Sequence, residues 1–80
     1  MKEKRGVLSS FVKKKRKDVG ITQVELSEKA GVGLQFVRDL EQGKKTLRID
    51  KVNDVLRLWG YELQPAKLGL DELLENMKNA

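Results

Sequence analysis

Few residue types in this chain of 80 could carry chemistry. There is no histidine and no cysteine, so the usual zinc ligands, the usual general base and any thiol nucleophile or disulfide are missing. Ser9, Ser10 or Ser27 could be drawn beside a lysine as a Ser–Lys pair. Nothing in the spacing arranges a base or an oxyanion hole around any of them. What remains is polar recognition. In a helical reading, Leu34, Gln35, Arg38 and Asp39 lie opposite the apolar Val37/Leu40 face. Gln can bond adenine N6 and N7 together, Arg can bond guanine O6 and N7, and Leu34 suits a thymine methyl. Asp39 could accept from cytosine N4, or hold Arg38 or a nearby lysine. Arg38 has a competing use, a pair with Glu41 or Asp39 along its own helix.

Charge points to the same class of partner. Residues 1–17 hold eight basic side chains against Glu3, a net of +7, while residues 18–80 hold nine basic and eleven acidic, a net of −2. A basic pole on a near-neutral body suggests a polyanion, either nucleic acid or an anionic membrane face. The membrane option fits poorly. Phe11 is the only aromatic in the lysine-rich stretch, and its apolar face is needed for a core. No apolar run approaches the roughly 20 residues of a span, and the first residues lack the apolar centre of a signal peptide. The expectation is a cytoplasmic protein with no cofactor and no catalytic activity.

The elements that must position these residues are short amphipathic helices punctuated by glycine. Val7, Leu8, Phe11 and Val12 repeat at helical spacing until Gly20. Thr22 and Glu25 form a capping box for a second helix with apolar Val24, Leu26 and Ala30. Gly31-Val32-Gly33 is a tight turn with two residues free to take positive φ. Phe36, Val37 and Leu40 form the inner face of a third helix ended by Gly43. Ile49, Val52, Val55, Leu56 and Trp59 mark a fourth, stopped by Gly60. The spans fall near 7–18, 22–30, 34–42 and 49–59. Tyr61 to Gln64 alternates and reads as an edge strand, and Leu70, Leu73, Leu74 and Met77 mark an amphipathic tail helix. Residues 1–60 would form the main domain and 61–80 a dimerising appendage. A domain this small buries only about 60% of its unfolded-chain surface, which favours a partner subunit.

Helices joined by a three-residue glycine turn describe a helix-turn-helix. The stretch Arg16 to Lys44, with Gly20-Ile21-Thr22-Gln23-x-Glu25-Leu26-x-x-x-Ala30-Gly31-Val32 and Val37-x-x-Leu40-Glu41-x-Gly43-Lys44, resembles the lambda-repressor-like, XRE-type DNA-binding family. The resemblance implies an all-α, compact helix-turn-helix bundle whose third helix enters the major groove. It implies that Gln23 anchors a phosphate and braces that helix, and that Lys44 and Lys45 contact the backbone. Gly33 departs from the Ser or Thr common in relatives, so it offers only its backbone N–H. The resemblance also pairs Arg16 with Glu41 as a partly buried structural bridge, off the DNA list. The DNA set is therefore Gln23, Gly33, Leu34, Gln35, Arg38, Asp39, Lys44 and Lys45.

Trp59-Gly60-Tyr61-Glu62-Leu63 is similar to the ending of HipB-type antitoxins. That similarity implies a homodimer paired through the strand after the last helix, repression of its own operon in a prokaryotic nucleoid, and a HipA-type serine/threonine kinase toxin as partner. The alternative is a stand-alone XRE-type or phage-like repressor with no toxin.

Overall fold

A computed structural model describes residues 5–65 and Met77. Residues 5–65 form four helices: α1 (Arg5–Val19), α2 (Gln23–Ala30), α3 (Leu34–Glu41) and α4 (Ile49–Arg57). The all-α architecture agrees with the periodicity.

Local chemistry fixes where each helix stops. After α1, Gly20 takes φ 74° and donates to the carbonyl of Lys17, and Ile21 donates to that of Arg16. This paired closure of the last turn needs a left-handed residue, where a β-carbon would be strained. Thr22 then caps α2. Its hydroxyl accepts from Glu25 N–H at 3.0 Å, and the Glu25 carboxylate accepts from Thr22 N–H at 2.8 Å. Gly31 ends α2 at φ 72°, but Gly33 sits at φ −73° and ψ 154°. The turn thus uses one positive-φ glycine rather than two. Gly33 is instead the extended residue that leads into α3, a position many residue types can hold.

α3 packs against both α1 and α2, and α4 against α2. Val12, Leu26, Val37, Leu40, Val52, Val55 and Leu56 are buried between them with Val32 of the turn. Leu8, Phe11, Ile21, Ala30, Phe36, Leu47 and Trp59 pack round that centre, half-buried. Three of the apolar residues that periodicity assigns to inner helix faces fall outside it. Ile49 is 58% exposed at the start of α4, Val7 is 70% exposed, and Val24 faces solvent on α2. They sit at helix ends or on an edge, with little packed over them among the described residues.

The chain after α4 differs from expectation. Helical geometry ends at Arg57, and i→i−3 bonds from Leu58, Trp59 and Gly60 tighten the exit. Tyr61 to Gln64 forms no strand, and no strand occurs among the described residues. A ladder needs a second extended segment, and among the described residues none lies alongside. Side chains hold the segment instead. Asn53 Oδ1 accepts from Leu63 N–H at 2.7 Å, and Arg57 Nη2 lies 3.3 Å from the Glu62 carboxylate. The Tyr61 ring meets Phe11 edge to face at 4.9 Å, with the Lys15 ammonium 5.3 Å from its centre. The expected tail helix lies outside the described residues, Met77 excepted.

Candidate nucleic-acid interface

The orientation of α3 is set from its C-terminal end. Glu41 points inward, its side chain 1% exposed, and meets Arg16 of α1, whose side chain is 13% exposed. Arg16 Nε donates to Glu41 Oε2 at 2.7 Å and Nη2 to Oε1 at 3.0 Å, the two-bond geometry that a planar guanidinium suits. Nη1 donates to the Ile21 carbonyl at 3.0 Å. Gln23 Nε2, at the start of α2, donates to Glu41 Oε1 at 3.1 Å. The Glu41 carboxylate therefore joins α1 to the first residue of α2 and the last residue of α3, and Arg16 extends the cluster to the α1–α2 connection.

The electrostatics agree with this geometry. Burial pushes the Glu41 carboxyl up, but hydrogen bonds from Arg16 and Gln23 and the charges of Arg16 and Lys13 outweigh it, leaving the group below the usual carboxylate value. The Glu41 hydrogen bond raises Arg16 above its ordinary value, against the opposing effect of burial. The pair is ionised throughout the neutral range.

The outward face of α3 is arranged differently. Arg38 and Gln35 are exposed, and Leu34 and Asp39 are half-buried. Arg38 makes no ion pair or side-chain hydrogen bond among the described residues. Its rival partners are both occupied: Glu41 is turned to Arg16, and Asp39 accepts from Gln35 Nε2 at 2.9 Å and lies 3.5 Å from Lys44 Nζ. Gly33, at the exposed entry to α3, has no side chain to cap it. Lys44 and Lys45 follow the helix end, where Gly43 at φ 82° turns the chain, and both are exposed. Gln23 sits half-buried behind the set with one Nε2 hydrogen committed to Glu41 and one remaining.

Seven of the eight residues singled out from sequence thus lie on α3 or its flanks, and Gln23 joins them through Glu41. Sequence reasoning allows a lysine beside Asp39, and Lys44 takes that place. It misses the second partner, Gln35, although their four-residue spacing is a readable helical pair.

Residues 12–64, from within α1 to the segment after α4, match the profile of the helix-turn-helix family. The chain belongs to that family, in its XRE-type form. As a helix-turn-helix protein it is a DNA-binding regulator and not an enzyme. It is also similar to a protein of Sinorhizobium fredii (strain NBRC 101917 / NGR234) named "Uncharacterized HTH-type transcriptional regulator y4mF". The two are 45% identical over 56 residues, which cover 70% of this chain and 74% of the relative. In a helix-turn-helix protein, α2 and α3 are the motif and α3 is the recognition helix. Among the described residues no helix is long and apolar enough to cross a membrane.

Proposed function

We propose that this chain is a sequence-specific repressor of double-stranded operator DNA. In this reading it acts as a homodimer in the prokaryotic cytoplasm, represses its own operon and serves as the antitoxin of a HipA/HipB-type module. The observation that carries the DNA-reading part is the exposed face of α3, where Arg38 has no side-chain partner among the described residues and Arg16, Glu41 and Gln23 lock α1, α2 and α3 together. A rigid presentation of a guanidinium suits bidentate reading of guanine. Gln35 and Leu34 complete the base-facing set. Lys44, Lys45, Gln23 and the Gly33 N–H supply backbone contacts that fix register. The relative's name, an HTH-type transcriptional regulator, supports the regulatory role.

Arg38→Ala should cost about 1–3 kcal/mol of binding and relax preference at one base pair. Lys44→Ala should weaken binding to all sequences alike and lower the salt slope by about one. Titration of both variants against a selected site and scrambled DNA separates these outcomes. Equal weakening of Arg38→Ala on every sequence would reassign Arg38 to phosphate.

The homodimer reading is supported by an open, mainly apolar groove of about 330 Å³ beside the last segment, lined by Leu8, Phe11, Leu56, Tyr61, Glu62 and Leu63 among others. Tyr61 and Leu63 are exposed there. A second copy of Tyr61 to Gln64 would supply the ladder partner that one chain lacks. Two half-sites would then lie about 34–36 Å apart, or a multiple of that. Sedimentation at micromolar concentration should give twice the chain mass, and Leu63→Asp should return it to monomer. A monomeric native protein would remove the homodimer.

The antitoxin role rests on the similarity of Trp59 to Leu63 to HipB-type endings. Affinity capture from the native host at moderate salt, with nuclease present, tests it. A stoichiometric HipA-like kinase would bear it out. Capture of the protein alone would leave a stand-alone repressor.

A further inference from the structure

We infer that Asp39 is a positioning residue that presets Gln35 to read adenine, an inference that rests on the DNA-reading role proposed above. Gln35 and Asp39 stand one turn apart on the exposed side of α3, with Gln35 Nε2 donating to Asp39 Oδ1 at 2.9 Å. A carboxamide can turn over by half a rotation and exchange its oxygen and nitrogen. Here that rotation would replace an N–H···O contact by two facing oxygens, one of them anionic, so one orientation is held. The orientation has a chemical consequence. One Nε2 hydrogen is committed to Asp39, leaving a single N–H and the carbonyl Oε1 to face outward. That donor–acceptor pair matches adenine, whose N7 accepts and whose N6 donates.

Asp39 is itself held. Its other oxygen lies 3.5 Å from Lys44 Nζ, and its side chain is 23% exposed. The carboxylate is thus already engaged on both oxygens before DNA arrives, which argues against its taking a cytosine N4 donor of its own. Its location beside Arg38 and Lys44 gives it a second effect. One negative charge on a DNA-facing surface weakens attraction to every sequence, so neutral variants should bind generally tighter even as base preference falls.

The experiment is enrichment of binding sites from a random duplex library with the full chain. It compares the native protein with Gln35→Ala, Asp39→Ala, Asp39→Asn and the Gln35→Ala/Asp39→Ala double variant. Gln35→Ala should abolish a preference of about 5- to 150-fold at one base pair. Asp39→Ala should reduce that same preference about two- to fivefold. Asp39→Asn, which keeps an acceptor oxygen for Gln35, should restore most of it. The double variant should match Gln35→Ala at that position. In the free protein, ¹⁵N relaxation of the Gln35 side-chain amide should show greater mobility in Asp39→Ala than in Asp39→Asn. The inference is overturned if Asp39→Ala leaves the Gln35-dependent preference intact or changes a different base pair, the mark of direct reading. Either result leaves the DNA reading standing. A native protein that enriches no sequence would end the DNA reading and this inference together.

Discussion

Arg16→Ala should destabilise the fold by about 3–5 kcal/mol, the cost of leaving one half of a buried ion pair behind. Glu41 has 1% of its side chain exposed, so water cannot take over the role of the guanidinium. The loss also strips the Ile21 carbonyl of its Arg16 donor and leaves Gln23 as the one remaining donor to the Glu41 carboxylate among the described residues. A domain of this length has a total stability of about 4–12 kcal/mol. The variant should therefore unfold at a far lower urea concentration, and the weaker end of that range would leave it partly unfolded in water. The pair orients helices more than it stabilises them, since well-packed apolar replacements for both partners are often neutral. Arg16→Met combined with Glu41→Leu should recover most of the lost stability. It should not recover DNA binding fully, because the Gln23 contact that ties α2 to α3 is gone. A urea midpoint for Arg16→Ala equal to that of the native protein would show that the pair is solvent-screened and unimportant.

The same bridge sets the response to acid. Glu41 has a folded value below its ordinary 4.5, so on acidification the unfolded chain takes up its proton first. The contribution is whole above about pH 4.5 and is lost as the pH falls through the folded value. In Arg16→Ala the order reverses. With burial opposed chiefly by Gln23, the carboxyl should rise above its ordinary value, and stability should decline as the pH rises through the ordinary value towards neutrality.

The helix order was legible in the sequence because each stop has a local cause. The capping box at Thr22 and Glu25 and the glycines at 20, 31 and 43 act through backbone geometry within a few residues. The Arg16–Glu41 bridge spans 25 positions, and no local pattern reveals it; the family resemblance did. Burial was harder to read. Periodicity says which residues share a face, not how much of that face a neighbour covers. In helices of eight or nine residues the terminal members, such as Ile49, fall outside the covered strip. The segment Tyr61 to Gln64 exposes a different limit. Alternation marks a chain suited to a sheet, yet a strand is a property of two segments. For the candidate site, residue type picked out the outward face of α3. It did not show that Asp39 is shared between Gln35 and Lys44, since that depends on how the loop after Gly43 returns.

DNA affinity should fall by about 10³–10⁵ between 50 and 200 mM salt if a dimer neutralises about 6–10 phosphates. Each subunit would contribute three to five cationic contacts of the kind offered by Lys44, Lys45 and the lysines of α1. These groups differ in commitment. Lys45 is exposed, Lys44 must leave Asp39, and Lys14 is paired with Asp18 at 3.3 Å. Arg16, although part of the basic pole, is half-buried and paired with Glu41 and should add nothing to the slope. Equilibrium titration by fluorescence anisotropy at four or five salt concentrations gives the slope directly. The lysines of α1 can then be separated from those beyond α3. If Lys13, Lys14 and Lys17 attract DNA only diffusely, changing all three to Gln should slow association at low salt more than it lowers the slope. If they touch phosphate, the slope should fall by nearly one per lysine in each subunit. A native slope near zero would contradict the electrostatic reading at its root, because a protein that releases no counterions is not gripping a DNA backbone.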